Sequence, residues 1–175
     1  LEPHTEDKAT NPINYYGYTK EQGEKIVREL IDKHFIVRTS WVYGLNGNNF
    51  VKTMLKLAQS RNEINVVNDQ IGAPTYTKDL AEFIVKLIQT KAYGTYHGVN
   101  EGYCSWYEFA ESIFKKTGID IRVNPISTKD YPTKAKRPSN SRLSKENTTK
   151  AGIDKMPHWE DALTRFIEEL NKQED

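Results

Sequence analysis

The chain has 175 residues, 37% of them hydrophobic, enough to bury one substantial core and to favour one domain over two. Its 25 basic and 24 acidic residues leave a net charge of +1, so bulk charge gives no reason to expect nucleic acid or an anionic membrane as partner. A single cysteine, Cys104, excludes an internal disulfide and fits a reducing, cytoplasmic setting, and no run approaches the roughly 20 apolar residues of a membrane span.

The opening "LEPHTEDKATNP" is polar, has no apolar stretch like that of a signal peptide, and leads almost directly into a helix. Residues Tyr15–Lys33 carry that helix: Tyr16, Lys20, Gly23 and Val27 share one side, and Ile26, Leu30 and Ile31 extend an apolar face. Pro12 stands just before it, where proline is tolerated. The run "HFIVRTSWVYG" reads as one buried strand ending at Gly44. "NNFVKTMLKLAQS" is a second helix with Phe50, Val51, Met54, Leu55 and Leu57 as its apolar positions. "INVVND" is a strand, and "TKDLAEFIVKLIQT" a third helix with Thr77 as N-cap. "GTYHGVN" is a strand, "SWYEFAESIFKKTG" a helix with a Ser105–Glu108 capping box and a C-terminal stop at Gly118. "DIRVNPIS" is a short strand, and a last helix covers about Trp159–Asn171. The loosest segment is Ser127–Ser144, polar and broken by Pro132 and Pro138.

Strands and helices alternate almost throughout, the pattern of an α/β fold with a mostly parallel sheet and covering helices. Ligands of open α/β sheets bind outside the carboxyl ends of the strands. The loops after "IVRTSW", "INVVND" and "TYHGVN" are therefore expected to line a shared cleft.

Tyr16 and Lys20 stand four residues apart, which puts them side by side on a helix. A phenol is a weak acid, and a neighbouring ammonium favours its charged form, moving it towards the range where a general acid works. The spacing alone is equally that of two exposed neighbours. Tyr15 and Tyr18 compete for the role, but only Tyr16 has a lysine at this offset. The four histidines, at 4, 34, 97 and 158, have no metal-ligand spacing. Cys104 has no nearby histidine to activate it as a nucleophile.

The wider context of the pair, "NPINYYGYTKEQGE", resembles the Tyr-x-x-x-Lys helix of the extended short-chain dehydrogenase/reductases. Three further segments, "VRTSWVYG", "NDQIGAPTYTKDLA" and "RPSNSRLS", are similar in order and spacing to the dTDP-4-dehydrorhamnose reductases within that family, and the resemblance runs through nearly the whole chain. It implies the C-terminal part of an NAD(P)-binding Rossmann-like fold. A partial sheet at about residues 1–100 is interwoven with a smaller substrate-binding region at about 101–175, in a single domain.

It also implies a reaction, in which NADPH (or NADH) reduces the C4 ketone of dTDP-4-dehydro-L-rhamnose to give dTDP-L-rhamnose for cell-surface polysaccharide. In it Tyr16 donates the proton, and Lys20 tunes the phenol and holds the nicotinamide ribose. Trp41 packs on the sugar, unless it is only a core aromatic at a strand end. Asn49 contacts the nucleotide sugar, and Arg137 and Arg142 bind its diphosphate, where a solvated charge run is the alternative. Gln70, Thr75 and Asp79 order the cleft loop and cap the following helix. Mg²⁺ enters as an optional cofactor used by some family members, and a homodimer as an optional assembly.

The Gly-x-x-Gly-x-x-Gly turn of the family is absent, since the ten glycines never fall at that spacing. So is the Ser/Thr segment that completes the triad upstream of the tyrosine. The chain is therefore expected to be rather more than the C-terminal half of a reductase, inactive alone, with a sheet edge open to pairing. Two other readings stay open: a non-catalytic regulatory subunit of the methionine adenosyltransferase type, and another nucleotide-sugar reductase or epimerase.

Overall fold

In a computed structural model, residues 2–131, 133 and 135–174 are described, the side chain of residue 174 excepted. Helix α1 (Tyr15–Leu30) begins where the Asn14 side chain accepts a hydrogen bond from the Gly17 amide at 2.8 Å, satisfying one of the unpaired donors of a helix start. β1 (Phe35–Arg38) and β2 (Val42–Tyr43) follow, then α2 (Phe50–Ala58), β3 (Glu63–Val67), β4 (Ile71–Gly72) and β5 (Thr75–Tyr76). Next come α3 (Thr77–Ile88), β6 (Gly94–His97), β7 (Cys104–Ser105), α4 (Trp106–Thr117) and β8 (Arg122–Ile126). A 3-10 turn (Thr128–Asp130), β9 (Asn140–Ser141), α5 (Glu146–Lys150) and α6 (Trp159–Glu174) complete the order.

The architecture is α/β with mainly parallel pairing, as read. Among the described residues the strands form small sheets: β1 pairs β6, β2 pairs β5 and β3 pairs β8, all parallel. The fourth sheet, ordered β7-β4-β9, pairs β4 antiparallel to β7 and parallel to β9. The larger core gathers Tyr43 and Tyr76, Val51 and Met54 of α2, Phe109, Ile113 and Phe114 of α4 and Leu163 and Phe166 of α6. A smaller one unites Phe83 and Leu87 of α3 with Tyr96, Ile153 and Met156. Phe50, Leu55 and Leu57 pack half-buried against the larger core, so the apolar face read for α2 is the one it uses. Helix α4 has the expected capping box between Ser105 and Glu108 and ends at Gly118 with φ 68°, a left-handed turn that glycine adopts without strain.

Three expectations need correction. The run to Gly44 is two strands, because Trp41 adopts φ 49° and breaks the extended backbone between them. The N-cap of α3 is Tyr76 rather than Thr77, and Asp79 does not cap; the Tyr76 amide instead donates to Asn100 Oδ1 at 2.9 Å. The apolar face expected on α1 is not buried: Ile26, Leu30 and Ile31 are exposed, and no residue of the helix is buried. Within the polar segment Ser127–Ser144 the regular structure described is the 3-10 turn and β9, and its Pro132 and Lys134 lie outside the described residues.

Candidate active site

Tyr16 and Lys20 lie on successive turns of α1, and the Lys20 ammonium sits 5.4 Å from the centroid of the Tyr16 ring. Both are exposed, Tyr16 by 70%. Among the described residues the Lys20 side chain makes no ion pair or hydrogen bond, and it is exposed beside the phenol with three donors. The rival tyrosines stack on each other instead, with Tyr15 and Tyr18 ring centroids 6.2 Å apart.

The head of the helix is tied to the basic segment. The Asn14 side chain that caps α1 also donates through Nδ2 to the Lys136 carbonyl at 3.0 Å, so the exposed Arg137 follows directly on a residue held against the start of α1. Arg142 is half-buried, with Nε donating to Asn140 Oδ1 at 2.8 Å. His4 and Leu143 pair across a parallel bridge, which fixes this stretch to the N-terminal loop.

Trp41 is positioned from several sides. Its carbonyl accepts from the Thr75 amide at 3.1 Å, and Ser40 Oγ donates to the Ala73 carbonyl at 3.0 Å. Its ring stacks on Trp106, centroids 3.6 Å apart and planes 10° apart, and Phe50 lies 4.6 Å from Trp106. Gly72 sits so close that a Cβ there would meet the indole at 2.6 Å. The loop after β1 thus meets β4, β5 and the turn between them. A tryptophan held at positive φ costs on the order of 1–3 kcal/mol, and such outliers gather at ligand clamps. Asn49 caps α2 by accepting from the Lys52 amide at 3.1 Å, and its Nδ2 donates to the Gly44 carbonyl at 2.8 Å. Its amide therefore shapes the loop that carries it.

The "DQIGAPTYTKD" segment is woven into the structure. Asp69 accepts from the Thr128 hydroxyl and amide, bonds that hold its carboxyl below the usual range. Gln70 Nε2 donates to the same hydroxyl at 3.1 Å. Thr75 is buried, and Asp79, 3% exposed, accepts two hydrogen bonds from Arg165 at 2.7 and 2.8 Å and one from Asn100 at 2.6 Å. Cys104 is buried, which pushes its thiol far above the ordinary value and leaves it no nucleophile near neutrality.

Residue-type reasoning missed four participants. Trp106 and Gly72 complete the setting of Trp41, and nothing in their local sequence announces a neighbour distant along the chain. Glu24 and Arg38 form a forked pair at 2.8 and 2.7 Å. The position of Glu24, one turn beyond Lys20, was the available signal.

Comparison with known proteins finds relatives over most of the chain. The family model described as RmlD substrate binding domain matches residues 1–172. The spore coat polysaccharide biosynthesis protein SpsK of Bacillus subtilis is 45% identical over 168 residues, covering 96% of this chain and 59% of the relative. A dTDP-4-dehydrorhamnose reductase of Escherichia coli is 43% identical over 179 residues, covering 96% of this chain and 60% of the relative. The crystal structure of dTDP-4-dehydrorhamnose reductase from Bacillus anthracis in complex with NADP superposes with a TM-score of 0.92 at 49% identity, over 96% of this chain and 59% of that one. The chain thus spans about three-fifths of the length of the relatives it matches.

Proposed function

The chain belongs to the RmlD substrate-binding domain family, and we propose that it supplies the proton donor and sugar-nucleotide site of an NADPH-dependent dTDP-4-dehydrorhamnose reductase. The observation that carries this reading is the exposed Tyr16 beside an outward-facing Lys20 on α1. Bound NADPH supplies hydride to C4 of the sugar. As the C4 oxygen gains charge, Tyr16 gives it the phenolic proton, and the Lys20 ammonium 5.4 Å from the ring stabilises the phenolate left behind. The remaining Lys20 donors suit the hydroxyls of the nicotinamide ribose, and NADP in the Bacillus anthracis complex favours NADPH over NADH.

Trp41, half-buried beside Trp106 and Gly72, offers the sugar the exposed rim of its indole from a backbone locked by Thr75 and Ser40, within the loop that Asn49 helps shape. Arg137 and Arg142, on the segment tied to Asn14, meet the diphosphate. The region about 1–100 and the substrate-binding region about 101–175 act as one domain, since the larger core draws side chains from both. Among the described residues no group of three or more His, Cys, Asp or Glu side chains is placed to hold a metal ion. No described helix is long and apolar enough to cross a membrane. The reading places the reaction in the cytoplasm, where the NADPH pool lies, and lets the exposed apolar residues of α1 serve pairing with a second copy.

The test is stoichiometric. The intact polypeptide that contains this chain, given NADPH and dTDP-4-dehydrorhamnose, is expected to form one dTDP-rhamnose per NADPH oxidised. An epimerase shows no net consumption. No turnover by the folded protein, together with co-purification of a methionine adenosyltransferase, transfers the assignment to the regulatory subunit.

A further inference from the structure

Helix α1 buries none of its residues, so among the described residues apolar packing does not fix where Tyr16 and Lys20 stand. Polar ties do. Thr10 bonds Glu21 but belongs to the loop just before the helix, and Arg28, itself exposed, reaches Thr95 through one hydrogen bond at 3.1 Å. The strongest tie is Glu24. Its carboxylate receives a fork from Arg38 at the end of β1, Nε at 2.8 Å and a terminal nitrogen at 2.7 Å, and a further hydrogen bond from Arg28 at 2.7 Å. It is the one ion pair among the described residues that joins α1 to a strand.

Both members are mostly buried, and the arginine is anchored on its far side. Arg38 also donates to the Glu6 carbonyl at 3.4 Å, and the buried Glu6 carboxylate accepts from the Asn147 amide at 3.3 Å. His97 Nδ1, 3.9 Å from that carboxylate, lies 2.7 Å from the Ser144 carbonyl. The pair therefore connects the catalytic helix to the interior and to the segment that follows Arg142.

Two sequence spacings turn this tie into a functional one. Tyr16, Lys20 and Glu24 recur every four residues, so Glu24 ends the face that begins with the proton donor. Arg38 lies three residues before Trp41, so it heads the loop that presents the sugar platform. We propose that the Glu24–Arg38 fork is the positioning element of the reaction, holding the Tyr16–Lys20 face of α1 at a fixed spacing from Trp41. The inference rests on the reductase reading given above. Eight residues of helix separate Tyr16 from the pin by about 12 Å, so a tilt of about 5° at the pin moves the phenol by about 1 Å. A displacement of that size costs about 100-fold in rate.

The test uses steady-state kinetics of the intact protein with NADPH and dTDP-4-dehydrorhamnose. Arg38→Lys keeps the charge and loses the fork, Glu24→Gln keeps the shape and loses the charge, and Lys25→Gln, on the exposed side of the same helix, is the control. Both test variants are expected to lose about 10- to 100-fold in kcat and to raise KM for NADPH, which Lys20 contacts, while KM for the sugar nucleotide stays within about threefold. Lys25→Gln is expected to match wild type. A variant whose kcat stays within about twofold of wild type overturns the proposal, as does a fall in kcat with both KM values unchanged, which marks only a loss of folded enzyme. If one variant fails to fold, the other decides. Absence of turnover in the wild type removes the reductase reading itself, an outcome distinct from active but insensitive variants.

Discussion

Adding one methyl group at Gly72 tests how Trp41 is held. The backbone there is ordinary, so the effect of Gly72→Ala lies in the side-chain space alone. The new Cβ would stand 2.6 Å from Trp41 Cε2, 2.8 Å from Cζ2 and 2.9 Å from Nε1. Carbon atoms pack at about 3.5 Å or more, so the indole must shift by about 1 Å. It cannot slide closer to Trp106, whose ring already stacks at 3.6 Å. Overpacking of this kind costs about 1–3 kcal/mol, a fall of roughly 2–12 °C in melting temperature for a protein of this size. The protein stays folded, since total stability is about 5–15 kcal/mol. Because Trp41 carries the sugar in the proposed site, KM for the sugar nucleotide is expected to rise about tenfold while KM for NADPH holds. Steady-state kinetics and tryptophan fluorescence of the same sample check this. An unchanged KM with an altered fluorescence spectrum would refute the role given to Trp41, and an unchanged spectrum would refute the packing.

Arg165→Ala leaves the buried Asp79 carboxylate with Asn100 as its remaining hydrogen-bond donor and is expected to cost about 3–5 kcal/mol by urea denaturation, where a loss below 1 kcal/mol would show that the carboxylate is relieved in another way. His97 is buried, which holds its imidazole below the ordinary value despite the Ser144 carbonyl and Glu6. The unfolded chain therefore takes up the proton first, and stability present above about pH 6.5 is lost as pH falls towards the lower folded value. Between pH 7.5 and 5.5 the urea midpoint is expected to drop more in wild type than in His97→Asn; equal drops would exclude the histidine as the cause. Buried Cys104 is expected to react with a thiol reagent at pH 8 only as the protein unfolds, and rapid labelling of native protein would contradict its burial.

Much of this fold was legible because local physics and tertiary structure agree. The Ser105–Glu108 capping box and Gly118 act as read, and the faces of α2 and α4 meet the core at helical spacing. The break at Trp41 was not legible, because a β-branched and aromatic run favours one extended strand. At its positive φ Trp41 contacts Thr75, Gly72 and Trp106, all distant along the chain. The face of α1 misled for the opposite reason: its spacing is amphipathic, but periodicity names a face without naming what covers it. Tyr16 and Lys20 were found by their offset, whereas Arg38 and Trp106 act across distances in sequence that no local pattern encodes.

The most direct test of the proposed reaction is NADPH oxidation by the intact protein on dTDP-4-dehydrorhamnose, with Tyr16→Phe measured beside wild type. Loss of the phenolic proton is predicted to lower kcat by about 10²- to 10⁴-fold, with both substrates still bound. A Tyr16→Phe protein that turns over at the wild-type rate would contradict the assignment of Tyr16 as proton donor.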